Sequence, residues 1–229
     1  KAESFNLYPT VDDKYFTYDE LEKKIKKLQT DKDGNLIILY AQNKDEQYTY
    51  IESAKEKGYE VLLLDSPIIP HLMQKLESKK EKIKFSRVDS DTLENLIKKD
   101  EEVISKLTDE EKEKLKPMIE TAVENEKYTV QLEALDSNSM PFMLAQPEFM
   151  RRMKEMQQTG GGAMGNLPDM YSLIVNTNHE LVGKILNTRT EKKRNSLIKQ
   201  SIDLAKLSQN NLTGKDLTEF INRSIDLIK

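Results

Sequence analysis

The sequence predicts an α/β plus α+β chain: a small helix-covered sheet, then an α+β domain ending in a two-helix hairpin. Three observations carry this. Leu36–Tyr40 and Glu60–Leu64 are short, apolar, β-rich runs that flank a helical stretch, Thr49–Lys57, which is the pattern of a β-α-β unit with parallel strands. Lys127–Glu133 alternates polar and apolar residues like a half-buried strand. Near the carboxy terminus two segments repeat apolar residues at i, i+3, i+4 and i+7, as do helices that bury one face.

The elements follow in order. Tyr18–Leu28 is amphipathic and opens the chain's helical content; Thr49–Lys57 stops at Gly58, a residue suited to a helix end. A helix is expected from Pro70 to Leu76 and a strand from Lys84 to Val88. Between 98 and 126 the composition changes: ten acidic residues stand against six lysines, a balance of minus four equal to that of the whole chain. The domain boundary is placed there, giving domains 1–105 and 106–229. The excess acid reads as a solvated helix face. Thr108, with Glu111 three residues on, reads as a capping box for a helix that carries Leu115, Met118, Ile119, Ala122 and Val123 on one side. Met170–Val175 reads as a further strand, and Asn178 as the N-cap of a helix from His179 to Leu186.

The final two helices carry Leu197, Ile198, Ser201, Ile202, Leu204, Ala205 and Ser208, then Leu217, Phe220, Ile221, Ile225, Leu227 and Ile228, with Thr213 and Asp216 opening the second. Such a hairpin must pack on its own domain or pair with a second copy into a four-helix bundle, whose interface would be isologous. Ile198, Ile202, Ala205, Leu217, Ile221, Ile225 and Ile228 are the expected homodimer contacts.

The segment Met140-Pro-Phe-Met-Leu-Ala-Gln-Pro-Glu-Phe-Met-Arg-Arg-Met-Lys-Glu-Met156, running into Gly160-Gly161-Gly162, carries the most functional information. Pro147 suits a first helical position. Phe149, Met153 and Met156 fall on one narrow stripe, with Met150 beside it, and Arg151, Arg152, Lys154 and Glu155 occupy the other faces. Methionine is unbranched and polarizable, so the stripe can adapt to many partners. Its expected role is client contact; the ordinary alternative is that it faces the core of its own domain.

This segment resembles the client-contacting helix of the heat-shock protein 90 chaperones of bacterial HtpG type. Phe16–Ile25 and Lys57–Leu64 resemble the end of that family's middle domain, and Val175-Asn-Thr-Asn-His-Glu-Leu-Val182 resembles its Asn-Pro-x-His-Pro-Leu-Val element. The resemblance spans nearly the whole chain. It departs at Thr177 and Glu180, where the family often has prolines, and at Pro67-Ile-Ile-Pro70, where the family is more acidic. It implies a constitutive homodimer, binding of unfolded or partly folded clients, and an ATPase domain with ATP and Mg²⁺ upstream of Lys1, of which this chain, starting without methionine, would be an excised piece. The absent Glu-Glu-Val-Asp tail implies that helical-repeat co-chaperones are not recruited.

Composition sets further bounds. One third of the residues are charged, with both signs mixed and a net charge of −4, which describes neither a nucleic-acid binder nor a membrane-spanning protein, no apolar run being long enough. Cysteine is absent, so there are no disulfides, thiolate metal sites or thiol nucleophiles, consistent with the cytoplasm. The two histidines, His71 and His179, are too separated to suggest a metal or catalytic pair. Gly160–Gly162 lacks the Lys-Ser/Thr of a phosphate loop. No catalytic, cofactor or metal site is expected. The alternatives are a dimerisation module with a purely structural methionine helix, and a small-molecule enzyme using the crevice near Asp65 and Ser66.

Overall fold

The computed structural model describes residues 7–100, 103–123, 127–160 and 170–228, the backbone alone at 157–160, 227 and 228. It is a mixed α/β structure. In order, its elements are β1 (Tyr8–Pro9), β2 (Tyr15–Phe16), α1 (Tyr18–Gln29), β3 (Leu36–Ala41), α2 (Tyr48–Glu56), β4 (Val61–Leu63), α3 (Ile69–Lys79), β5 (Ile83–Arg87) and α4 (Leu93–Leu96), then α5 (Asp109–Glu120), β6 (Tyr128–Glu133), β7 (Phe142–Ala145), α6 (Glu148–Gly160), β8 (Tyr171–Asn176), α7 (Glu180–Asn187), α8 (Glu191–Ser208) and α9 (Gly214–Ile228). Contacts divide the chain into two compact units, Lys1–Glu101 with Gln146–Leu167, and Glu102–Ala145 with Pro168–Lys229.

In the first unit, β3 lies between β4 and β5, parallel to both. All six residues of β3 are buried, which is why its sequence is a continuous apolar run rather than an alternation. Leu36, Ile38 and Tyr40 point to one face and join Tyr18, Leu21 and Ile25 of α1 with Met73 and Leu76 of α3 in the core; Ile37 and Leu39 point the other way. Thr17 and Glu20 form a reciprocal capping box at the start of α1, and Gly58, at φ +76°, turns the chain out of α2. The buried Gln29 side chain links two segments: its amide donates to the Ile37 carbonyl at 3.0 Å and its oxygen accepts from Glu60 N–H at 2.7 Å.

In the second unit, β8 is central, parallel to β6 and antiparallel to β7. Leu115 and Ile119 of α5, Val182 and Ile185 of α7, and Ile198, Ile202 and Ala205 of α8 pack with Val130, Phe142, Leu144, Leu173 and Val175 of the sheet. The capping box of Thr108 and Glu111 forms as the sequence predicts. The cap of α7 does not: His179 is the N-cap, its Nδ1 accepting from Leu181 N–H at 3.0 Å. Asn178 is instead a buried linchpin. It accepts from Lys106 N–H at 2.6 Å and donates to the Ile104 and Leu135 carbonyls at 3.0 Å each. Strand β7, helix α4 and the β1–β2 pair are not foreseen from the sequence.

Candidate functional site

Helix α6 follows β7 in the chain but is grouped with the first unit, whereas the sequence reading assigns it to the second domain. Polar contacts attach its first turns to the unit. Strand β5 is an edge strand: Leu36 N–H bonds Lys82 O, and Val88 N–H bonds Tyr40 O, so the amides of Phe85 and Arg87 point outward, where an unpaired strand would expose them. Side chains satisfy this edge. Phe85 N–H donates to Glu77 of α3 at 2.7 Å, Arg87 N–H donates to Glu148 of α6 at 3.3 Å, and Arg152 of α6 donates to the Phe85 carbonyl at 2.6 Å.

The charges behind this seam are closely interlocked. Arg152 bonds Glu77 at 2.8 and 3.2 Å and Glu148 at 2.7 Å. Arg151, only 3% exposed, reaches Glu148 at 2.5 Å and also donates to Glu155 and to the Tyr40 hydroxyl, which in turn donates to Glu148 at 2.8 Å. Arg87 bonds Asp89 at 2.5 Å and Gln42 at 2.9 Å. Burial pushes the Glu148 carboxyl up, but the guanidiniums of Arg151 and Arg152 outweigh it and hold the group below its ordinary range. Burial, seconded by Glu148, raises the Tyr40 phenol. Burial opposes the charge on Arg151, yet Glu148 and Tyr40 more than restore it.

The expected client-contact residues divide. Phe149 is 70% exposed, while Met150, Met153 and Met156 are half-buried. Arg151, expected on a face away from the stripe, is the most deeply buried of the described side chains of α6 because Tyr40 and two carboxylates receive it. The sequence carries part of this signal: Glu148 to Arg151, Glu148 to Arg152 and Arg151 to Glu155 are i,i+3 and i,i+4 pairs. The partners Tyr40, Glu77 and Arg87 lie 61 to 111 residues away along the chain, and no local pattern points to them.

The expected dimer contacts divide as well. Ile198, Ile202 and Ala205 are buried in the core of their own unit, because α8 turns its apolar stripe onto the sheet. Leu217 is half-buried, Ile221 and Ile225 are each 47% exposed, and the Ile228 side chain lies outside the described residues. Helix α9 meets α8 through polar pairs: Arg223 with the buried Asp203, Lys199 with Glu219 at 3.1 Å and Gln200 with Ser224 at 2.9 Å. Burial raises the Asp203 carboxyl despite Arg223 beside it. Leu204 and Leu207 of α8 are also exposed.

Among the described residues no cluster of three or more His, Asp or Glu side chains could hold a metal ion, and no helix is long and apolar enough to cross a membrane. His71 is exposed, as are Asp65 and Ser66. Gly161 and Gly162 lie outside the described residues.

No family model matches the chain. Among curated proteins, it is 36% identical to the chaperone protein HtpG of Bacteroides thetaiotaomicron and 35% identical to that of Bacteroides fragilis, in each case with all of this chain and 44% of the relative covered. It is 39% identical to the HtpG of Porphyromonas gingivalis over 90% of this chain and 31% of the relative. The chain thus spans somewhat less than half the length of the relatives it matches. Relatives of that name in three species match 90–100% of this chain at 35–39% identity: the chain belongs to the HtpG family of chaperone proteins.

Proposed function

We propose that this chain is the carboxy-terminal part of an ATP-dependent chaperone of heat-shock protein 90 type, and that it supplies homodimerisation and an apolar surface for unfolded or partly folded clients. Residues 1–105 are then the end of the middle domain, and 106–229 the dimerisation and client-contact domain. ATP and Mg²⁺ belong to the rest of the protein, the chain itself performs no turnover, and the protein works in the cytoplasm. The relatives' name supports the chaperone role.

The observation that carries the client role is Phe149, left 70% exposed at the head of a methionine-rich helix. Burying such a side chain is worth about 1.5–3 kcal/mol, so an adhesive function is what would repay leaving it in water. The open face of α9, with Ile221 and Ile225, supports pairing with a second copy, and Leu204 and Leu207 of α8 extend the apolar area. Two copies joined there would give weak single contacts avidity for one client.

The test is the variant Phe149→Ser/Met153→Ser/Met156→Ser. It is expected to fold and dimerise as the parent does and to bind a permanently unfolded protein at least about tenfold more weakly, a loss of about 1.4 kcal/mol. Unchanged affinity in the folded variant would reduce the chain to a dimerisation module.

A further inference from the structure

Among the described residues, none of helix α6 belongs to the apolar cluster that α1, β3 and α3 form in the first unit. Its phenylalanine faces water and its three methionines are only half-covered, while Glu148, Arg151 and Arg152 hydrogen-bond to Tyr40, Glu77, Phe85 and Arg87 of the unit and Glu155 lies 3.9 Å from the Arg87 guanidinium. A helix held in this way differs from one seated by burial. Buried ion pairs return little more than the hydration they give up, but loss of one partner strands the other and costs much more. Such a contact is close to balance as a whole and abrupt in its failure.

We propose that Glu148, Arg151 and Arg152, with Glu77, Tyr40 and Arg87, form an ionic latch that holds the methionine helix against the edge of β5, and that its release sets how much apolar surface α6 can offer. In the latched state Phe149 is exposed while Met150, Met153 and Met156 are half-covered. Unlatching frees Met150, Met153 and Met156 and bares the outward amide of Arg87, while Phe85 N–H keeps its acceptor on α3. The latch gives a reason for the charged half of the Pro147-Glu-Phe-Met-Arg-Arg-Met153 motif, which adhesion to clients leaves without a task. Its value as a regulator of adhesive surface rests on the client-contact reading; its existence does not.

The two edge amides separate the possibilities. Arg87 N–H is tied to α6 through Glu148, and Phe85 N–H is tied to α3 through Glu77. Amide hydrogen exchange in the whole chain is compared for the parent, Arg152→Ala and Glu77→Gln, the last keeping an acceptor for Phe85 while removing the charge that Arg152 meets. The expected result in both variants is a loss of Arg87 protection of at least about tenfold, with Phe85 protection unchanged. Protection of both amides kept, or both lost together, would overturn the latch, because α6 would then be held by packing or be part of the unit's cooperative fold. A latch that opens without any gain in binding of an unfolded protein would leave the device standing and remove the client role.

Discussion

Arg151 and Asn178 are polar side chains taken almost wholly out of water, and each is tolerated because partners wait for it. Asn178 uses its oxygen and both amide hydrogens, on Lys106 N–H and the carbonyls of Ile104 and Leu135. Truncation strands three backbone groups, so Asn178→Ala is expected to destabilise the second unit by about 3 kcal/mol, read as a lower denaturant midpoint at unchanged slope; a change under about 0.5 kcal/mol would show that water replaces the side chain. Glu148 is the corresponding point in the first unit. Its carboxyl is held below its ordinary value of 4.5 when α6 is docked. Docking is therefore fully supported above that value and weakens as pH falls through the depressed one. Exchange at the Arg87 amide, corrected for its intrinsic pH dependence, should accelerate only on the acid side; acceleration towards alkaline pH would reverse the assigned sign.

At the scale of elements, hydrophobic period decides what is legible in the sequence. The runs of β3 and β4, the alternation of β6 and the stripes of α5 and α8 can be read directly, since each expresses its burial in its own residues; the α9 stripe is equally legible although Ile221 and Ile225 stay exposed. Strand β7 cannot: Phe142–Ala145 is a short run between Pro141 and Pro147, and it becomes a strand only by pairing with Leu173 and Val175 of β8. The α8 stripe is legible as apolar, but nothing local distinguishes a stripe laid on its own sheet from one offered to a second copy. That distinction makes a prediction. Ile202→Ala should cost about 2–5 kcal/mol of stability as a core truncation, without a direct effect on pairing. Ile221→Asp/Ile225→Asp should leave the unfolding midpoint of the dilute monomer nearly unchanged and convert a concentration-dependent dimer into a monomer by light scattering. A parent chain that is monomeric at every concentration would remove the pairing proposal.

For the whole molecule, adhesion in the proposed function falls to surfaces that the two units leave open after closing their own cores. In the first this is α6, tied down by charge with Phe149 outward; in the second it is the far side of α9. The resemblance is legible from the order of the motifs, and the relatives bear it out. The latch is not legible, because Tyr40, Glu77 and Arg87 are brought to α6 only by folding. The most direct test uses the absence of tryptophan from the chain, which makes Phe149→Trp a single reporter on the helix. Titrated with a permanently unfolded, tryptophan-free protein, this variant should start with the emission of a water-exposed indole and shift to shorter wavelength in a saturable manner. Emission that stays at the exposed position while the unfolded protein binds elsewhere, or fails to bind, would contradict the account.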